Sequence, residues 1–258
     1  MNTSSYLSGV VEQTNTFADW VHDKDAATPV PTCPKWTVAD LVDHVGSTQR
    51  MVAMLVGERM LEPSNAFARY VPAPTDPAEW RAWLTQGAAE AKQAFESVTD
   101  DTPVWDPSGA DAGVPFWSRR LFGEASVHRA DAAAALGVPY ELAPERAVAA
   151  IEDWLDTLTS RGYWENRPDF ADALRGDGQT LHFHATDATG EWLARREPDQ
   201  VALERAHADA DVTVSGPAVD LLLVLSRRRP LAAASSLAID GDRALLDLWI
   251  NHMDWVTD

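Results

Sequence analysis

Leu121-Phe122-Gly123-Glu124-Ala125-Ser126-Val127-His128-Arg129-Ala130-Asp131 sets a carboxylate and an imidazole four residues apart inside an apolar run. At 3.6 residues per turn, side chains at i and i+4 stand one above the other on a single helix face. On a helical wheel Leu121, Ala125, Ala132 and Ala135 fall within an arc of roughly 80°, and Glu124 and His128 project into it or just beside it. An ionisable pair on the buried side of a helix is costly unless something compensates it, and a bound cation would compensate both. The same spacing also arises as an ordinary i,i+4 contact between helices. A third ligand from elsewhere in the chain decides between the two.

Upstream, Leu7, Val10, Val11, Thr14, Phe17, Ala18 and Val21 recur at helical spacing and predict an amphipathic first helix. The breaker segment Val30-Pro31-Thr32-Cys33-Pro34-Lys35 precedes Trp36-Thr37-Val38-Ala39-Asp40-Leu41, which has the form of a capped helix start. Thr37 is the cap, Asp40 answers it at N3, and Trp36 is placed to staple onto Leu41. The helix that follows carries the stripe Val38, Leu41, Val45, Val52, Leu55 and Val56, with His44 on its edge. A lone histidine there is ordinarily a satisfied core residue. Beside Glu124 and His128 it becomes the third inward-facing ligand of a site in a bundle core.

Four prolines between Pro63 and Pro77 mark a long connection, after which Trp80, Trp83, Leu84, Ala88, Ala91 and Phe95 predict a third helix. The loop from Asp100 to Trp117, with Trp105, Phe116 and Trp117, is expected at the substrate, although its aromatics also suit plain core. Gly137-Val138-Pro139 ends the fourth helix, and Pro144-Glu145 opens a fifth that runs to about Ser160. Past Arg175-Gly176-Asp177-Gly178 the period changes to alternation: Leu181 to Ala185, Glu191 to Arg195, Val201 to Ala206 and Asp211 to Ser215 read as strands. Helices at Ala218 to Arg228 and Arg243 to Met253 flank a strand at Leu237 to Ile239. The fold class is therefore α plus α+β, with a helical bundle over 1–162 and a small α+β domain over 175–258. His182-x-His184 lies on one face of a strand and reads as a polar sheet face or a pocket lining, while His207 and His252 carry no pattern.

The 258 residues include 40 Asp and Glu against 21 Lys and Arg, a formal charge of −19, with a pI near 4.6. Phosphate backbones and anionic membranes are repelled by such a surface, so nucleic acid and membrane partners are not expected. Cys33 is the single cysteine, which excludes an internal disulfide and a thiolate metal cluster and fits a reducing, cytoplasmic setting. The N-terminus shows no signal-peptide pattern, and the longest apolar run, Leu221 to Leu225, is far too short to span a bilayer. Arginine-over-lysine usage and abundant alanine hint at an actinobacterial source.

These features together resemble the mycothiol-dependent maleylpyruvate isomerase family. Cys33-Pro34-Lys35-Trp36-Thr37-Val38-Ala39-Asp40-Leu41-Val42-Asp43-His44 corresponds to that family's CPGWTVxDLxxH stretch, with Lys35 in place of the usual glycine. Glu124 through Asp131 is similar to its ExxxHRxD stretch, and Gly216 through the Arg227 region to its GxxxDLLLxLxGR helix. The resemblance implies a DinB-like up-and-down helical bundle that binds a divalent metal, followed by a sterol-carrier-like domain. It also implies mycothiol as thiol cosubstrate.

Three protein ligands, His44, Glu124 and His128, leave a divalent ion with open positions, as in catalytic centres. Zinc suits this donor set best, with nickel, iron and manganese as further candidates. A thiol bound there loses its proton, so Cys33 is not needed as a nucleophile. Asp40 is a candidate partner for the His44 imidazole, or simply completes the helix cap. Arg227, among Arg227 to Arg229, is the candidate grip for a substrate carboxylate. The expected activity is attack of mycothiol on an electrophilic small molecule, as S-transfer or as cis-trans isomerisation, by a monomer or small homo-oligomer. The competing readings are a carrier of apolar ligands with a structural metal, and a metal-dependent hydrolase using activated water.

Overall fold

Thr37 caps the helix that carries His44, and the cap is reciprocal: Asp40 N–H donates to Thr37 Oγ1 at 3.4 Å, while the Thr37 N–H donates to Asp40 Oδ2 at 2.8 Å. The Thr37 hydroxyl and N–H hold the Asp40 carboxyl below its ordinary pKa. From this start α2 runs Val38–Gly57, and it joins α1 (Thr3–Val21), α4 (Pro77–Glu96) and α5 (Gly113–Leu136), with a short α3 (Ser64–Ala68) in the proline-rich connection. A computed structural model describes residues 1–252 of the chain. By contact the chain divides into two units, Met1–Tyr140 and Glu141–Asp258.

In the first unit α1 packs against α4 and α5, and α2 packs against the same two helices. The ring order is therefore α1, α5, α2, α4, with α1 diagonal to α2 and α4 diagonal to α5. Long connections such as 22–37 and 97–112 make these diagonal steps possible. The core around Phe17, Val21, Leu41, Val45, Trp80 and Leu84 fills the space between α1, α2 and α4. At the α2–α4 contact Gly46 leaves room for the Trp83 ring, which a Cβ there would meet at 1.9 Å, and the Arg50 guanidinium lies 4.2 Å over the same ring. Helix α5 is rich in Gly, Ala and Ser and is buried on every side from Ala125 to Ala133, which suits small residues because backbones can approach closely. Gly137 ends it where the sequence predicts, in the left-handed conformation with φ 65°.

The second unit begins with α6 (Pro144–Leu158), α7 (Arg161–Asn166) and α8 (Pro168–Leu174). The sequence reading ends the bundle at 162; in the structure α6 packs on α9 (Ala218–Leu225) and belongs to the second unit. Its apolar stripe predicts burial but does not name the partner. Helices α7 and α8 occupy a span for which no element is expected, each being too short to show a full period. Arg196 holds the end of α8, donating from Nε to the Leu174 carbonyl at 3.0 Å and from Nη2 to the Ala173 carbonyl at 3.2 Å.

Five strands follow, β1 (Thr180–Ala185), β2 (Glu191–Arg196), β3 (Val201–Glu204), β4 (Val212–Gly216) and β5 (Ala238–Gly241), in the sheet order β3-β2-β1-β4-β5. Only β1 and β4 run parallel; the other neighbours are antiparallel. Helix α9 covers β1 and β4, and α10 (Arg243–Asn251) packs on β4. The expected end of that last helix at Met253 lies outside the described residues.

Asp211 ties β4 to β1: its Oδ2 accepts from the Thr180 N–H at 2.7 Å and the Thr180 hydroxyl at 3.0 Å. These bonds favour the carboxylate and lower its pKa from 3.8. A carboxyl depressed in the folded state adds stability that is complete above its unfolded value and is lost as pH falls through its folded value. Wild type should therefore exceed Asp211→Asn in urea midpoint at pH 6 and lose that advantage below about pH 3.8, as followed by circular dichroism.

Candidate metal centre

His44 lies two turns into α2, and Glu124 and His128 lie one turn apart in the middle of α5. Their side chains converge. His44 Nε2 is 3.2 Å from Glu124 Oε2, and His128 Nε2 is 2.9 Å from the same oxygen. One ligand atom from each residue lies within 4.8 Å of the other two. Ligand atoms about 2.0–2.2 Å from a tetrahedral zinc stand roughly 3.3 Å apart, so small rotamer adjustments suffice to enclose an ion.

The surroundings fix these ligands. His128 Nδ1 is 2.8 Å from Asp131 Oδ2, and Asp131 has no exposed side-chain surface. An ionised carboxylate only accepts, so this contact places the His128 proton on Nδ1 and leaves the Nε2 lone pair for a metal. Asp131 also accepts from Thr32 Oγ1 at 2.6 Å and from Cys33 Sγ at 3.7 Å. Trp36 packs on both imidazoles, with ring centroids 4.9 Å from His44 and 5.7 Å from His128. Arg120, one turn before Glu124, pairs with its second oxygen, Oε1. The donor set and its orientation thus fit a divalent transition ion.

Three of these roles go beyond the sequence reading. Asp131, not Asp40, orients a ligand imidazole; Asp40 is exposed and its carboxylate is engaged in the cap of α2. The signal was present in the i,i+3 spacing of His128 and Asp131. Trp36 touches the site, which its position before the cap does not reveal, and so does Arg120. Cys33 is buried and bonded to Asp131, in agreement with its exclusion as a nucleophile. Of the loop expected at a substrate, Phe116 and Trp117 are core residues at the start of α5, and the Trp117 indole donates to the Trp105 carbonyl at 2.6 Å.

Family models describe both parts of the chain. Residues 8–133 match the mycothiol maleylpyruvate isomerase N-terminal domain, and residues 145–248 match the C-terminal domain of the same family. The chain belongs to the mycothiol-dependent maleylpyruvate isomerase family. The crystal structure of a mycothiol-dependent maleylpyruvate isomerase, and that of a mutant of it, superpose with a TM-score of 0.57 at 13% identity, covering 93% of each chain. A UbiJ-SCP2 ubiquinone synthesis protein is 21% identical and covers 42% of this chain and 94% of its own, with a TM-score of 0.32. No curated protein matches the chain significantly. The structure divides between Tyr140 and Glu141, within the stretch 134–144 that separates the two family segments. Among the described residues no helix is long and apolar enough to cross a membrane.

Arg227 sits apart from the three ligands in sequence, at the end of α9 in the second unit. It has φ 60°, and its guanidinium donates to the carbonyls of Ile250 at 3.2 Å and Asn251 at 3.1 Å, at the end of α10. In the family's GxxxDLLLxLxGR register, counted from Gly216, Arg227 stands at the glycine and Arg228 at the arginine. The left-handed backbone explains the glycine. Arg228 is buried, with Nη1 donating to the Ser226 carbonyl at 2.9 Å.

Replacing His44 or His128 by Ala should abolish stoichiometric zinc binding, and Asp131→Asn should weaken it by about 10–100-fold. Competition against a chromophoric chelator measures both, with circular dichroism to establish that the variants fold.

Proposed function

We propose that the protein is an enzyme in which a divalent cation, zinc by its donor chemistry, is held by His44, Glu124 and His128 and activates mycothiol for attack on an electrophilic small molecule. The convergence of three ligand atoms, one of them fixed in tautomer by Asp131, is the observation that carries this reading. When bound, the cation supplies Lewis acidity that lowers the pKa of a coordinated thiol.

The chain's own residues do the remainder. Asp131 keeps the proton on His128 Nδ1, Arg120 neutralises part of the Glu124 charge, and Trp36 packs against the two imidazoles and steadies their rings. The thiolate sulfur forms a bond to an activated carbon. If that carbon belongs to a double bond, the electron pair moves onto the electron-withdrawing group. Rotation followed by expulsion of the same thiolate returns the double bond in the opposite geometry, which is isomerisation. Protonation of the neighbouring carbon, on which the displaced electron pair comes to rest, or loss of a different leaving group from the attacked carbon, leaves a stable thioether, which is S-transfer. We favour S-transfer, because a site of this kind serves many electrophiles.

The test is a mass-spectrometric screen for mycothiol adducts with a panel of electrophiles, run with metal-loaded and metal-stripped protein. Adducts or isomerised products should require both metal and thiol. Turnover with water alone, indifferent to mycothiol, would establish a hydrolase. Ligand retention with neither reaction would establish a carrier.

For a carboxylate-bearing substrate we propose Arg228 as the grip in place of Arg227, on the motif register and the left-handed Arg227 backbone. Arg227→Gly should keep activity. Arg228→Lys should raise KM about tenfold or more for an anionic electrophile, because lysine lacks the planar fork, and leave KM for a neutral one unchanged.

A further inference from the structure

β1 and β2 pair with His184 opposite Glu191 and His182 opposite Leu193. Alternate residues of a strand share a face, so His182, His184 and Glu191 project from the same side of the sheet. The segment between β3 and β4 brings His207 over them, its ring centroid 5.4 Å from that of His182 and 6.4 Å from that of His184. Glu191 is the centre of the group. Its Oε2 is 3.1 Å from His207 Nδ1 and 3.8 Å from His182 Nε2, and its Oε1 is 3.3 Å from His184 Nε2.

His182 distinguishes this cluster from a solvated patch. Its side chain is 2% exposed, and among the described residues its buried Nε2 has no partner within hydrogen-bond distance, Glu191 Oε2 standing off at 3.8 Å. A buried polar atom left unmatched costs about 1–3 kcal/mol, so a nitrogen aimed at a carboxylate and a second imidazole calls for a ligand between them. Burial holds its pKa below the usual histidine value, with His207 and His184 acting in the same direction and Glu191 opposing. Glu191, His184 and His207 also line a cavity of about 520 Å³, together with Trp192 and Arg205, which leaves room for an exogenous ligand.

We propose that the C-terminal unit holds a second divalent-cation site, with His182 Nε2, Glu191 Oε2 and His207 Nδ1 as ligands and His184 steadying the other oxygen of Glu191. The three ligand atoms lie within 4.8 Å of one another. Two imidazoles and a carboxylate select a first-row transition ion of the zinc, cobalt or nickel class over magnesium or calcium. A bound ion would take the Nδ1 lone pair of His207, with the ring proton carried on Nε2. Because the His207 side chain is 76% exposed, the ion exchanges more readily here than in the bundle. This site is independent of the bundle centre and of the reaction assigned to it.

Full-length protein stripped of metal and titrated with Co²⁺ against a chromophoric chelator tests the proposal. Wild type should take about two equivalents. His128→Ala should remove one of them, and His207→Ala should weaken the other by about tenfold or more while leaving the bundle site intact. His207 is exposed, so its replacement does not threaten the fold; His182→Gln provides the buried counterpart. The proposal is overturned if His128→Ala abolishes all binding, or if His207→Ala and His182→Gln bind as wild type does. If His128→Ala keeps both equivalents and His207→Ala weakens one, the bundle assignment fails and the second site stands.

Discussion

A carboxylate with no exposed surface has to be paired, and in the N-terminal unit that requirement falls on Asp131. Its partners come from one distant segment, Thr32 and Cys33 in the connection before α2, and from its own helix, His128. The pairing fastens the connection to α5. Within that connection Trp36 donates its N–H to the Cys33 carbonyl at 2.8 Å, and Thr37 begins α2 one residue later. The position of Trp36 against the imidazoles, the start of α2 and the depth of His44 along it follow from one buried charge. Removing a partner from such a pair costs about 3–5 kcal/mol, which makes the arrangement rigid as well as specific.

Rigidity serves the chemistry assigned to the centre. A ligand imidazole must present a lone pair at a fixed point, and Asp131 sets both the tautomer and the ring plane of His128. Glu124 is held differently: its Oε2 faces the Nε2 atoms of His44 and His128, and its Oε1 pairs with Arg120. A cation held by the cluster would find Oε2 facing both imidazoles, while Oε1 pairs with Arg120.

The helical part of this site was legible because helix geometry converts sequence spacing directly into spatial proximity. E-x-x-x-H puts Glu124 beneath His128, and T-x-x-D fixes the start of α2 to the residue. What the spacing does not encode is which helices become neighbours. The ring order places α1 diagonal to α2, and α6, whose stripe looks like that of another bundle helix, packs on α9 instead. Side chains such as Trp36 and Arg120 gained their roles only from that neighbourhood. The proposal of Arg228 beside the expected Arg227 rests on a related point: a positive φ is a property of the backbone path after α9, visible in sequence only where a glycine occupies the position.

The cluster in the C-terminal unit shows the opposite limit. His182 and His184 announce a shared strand face, but Glu191 joins them only through the β1–β2 register, and His207 only through the path of the segment between β3 and β4. A one-residue slip in that register would put Glu191 on the other face of the sheet. The register is held by Phe183, Leu181, Trp192 and Ala194, all buried on the face opposite the histidines. Apolar packing on one side of the sheet thus determines which polar groups meet on the other. The same core that stabilises the unit leaves His182 Nε2 facing a carboxylate and a second imidazole, with no partner within hydrogen-bond distance among the described residues.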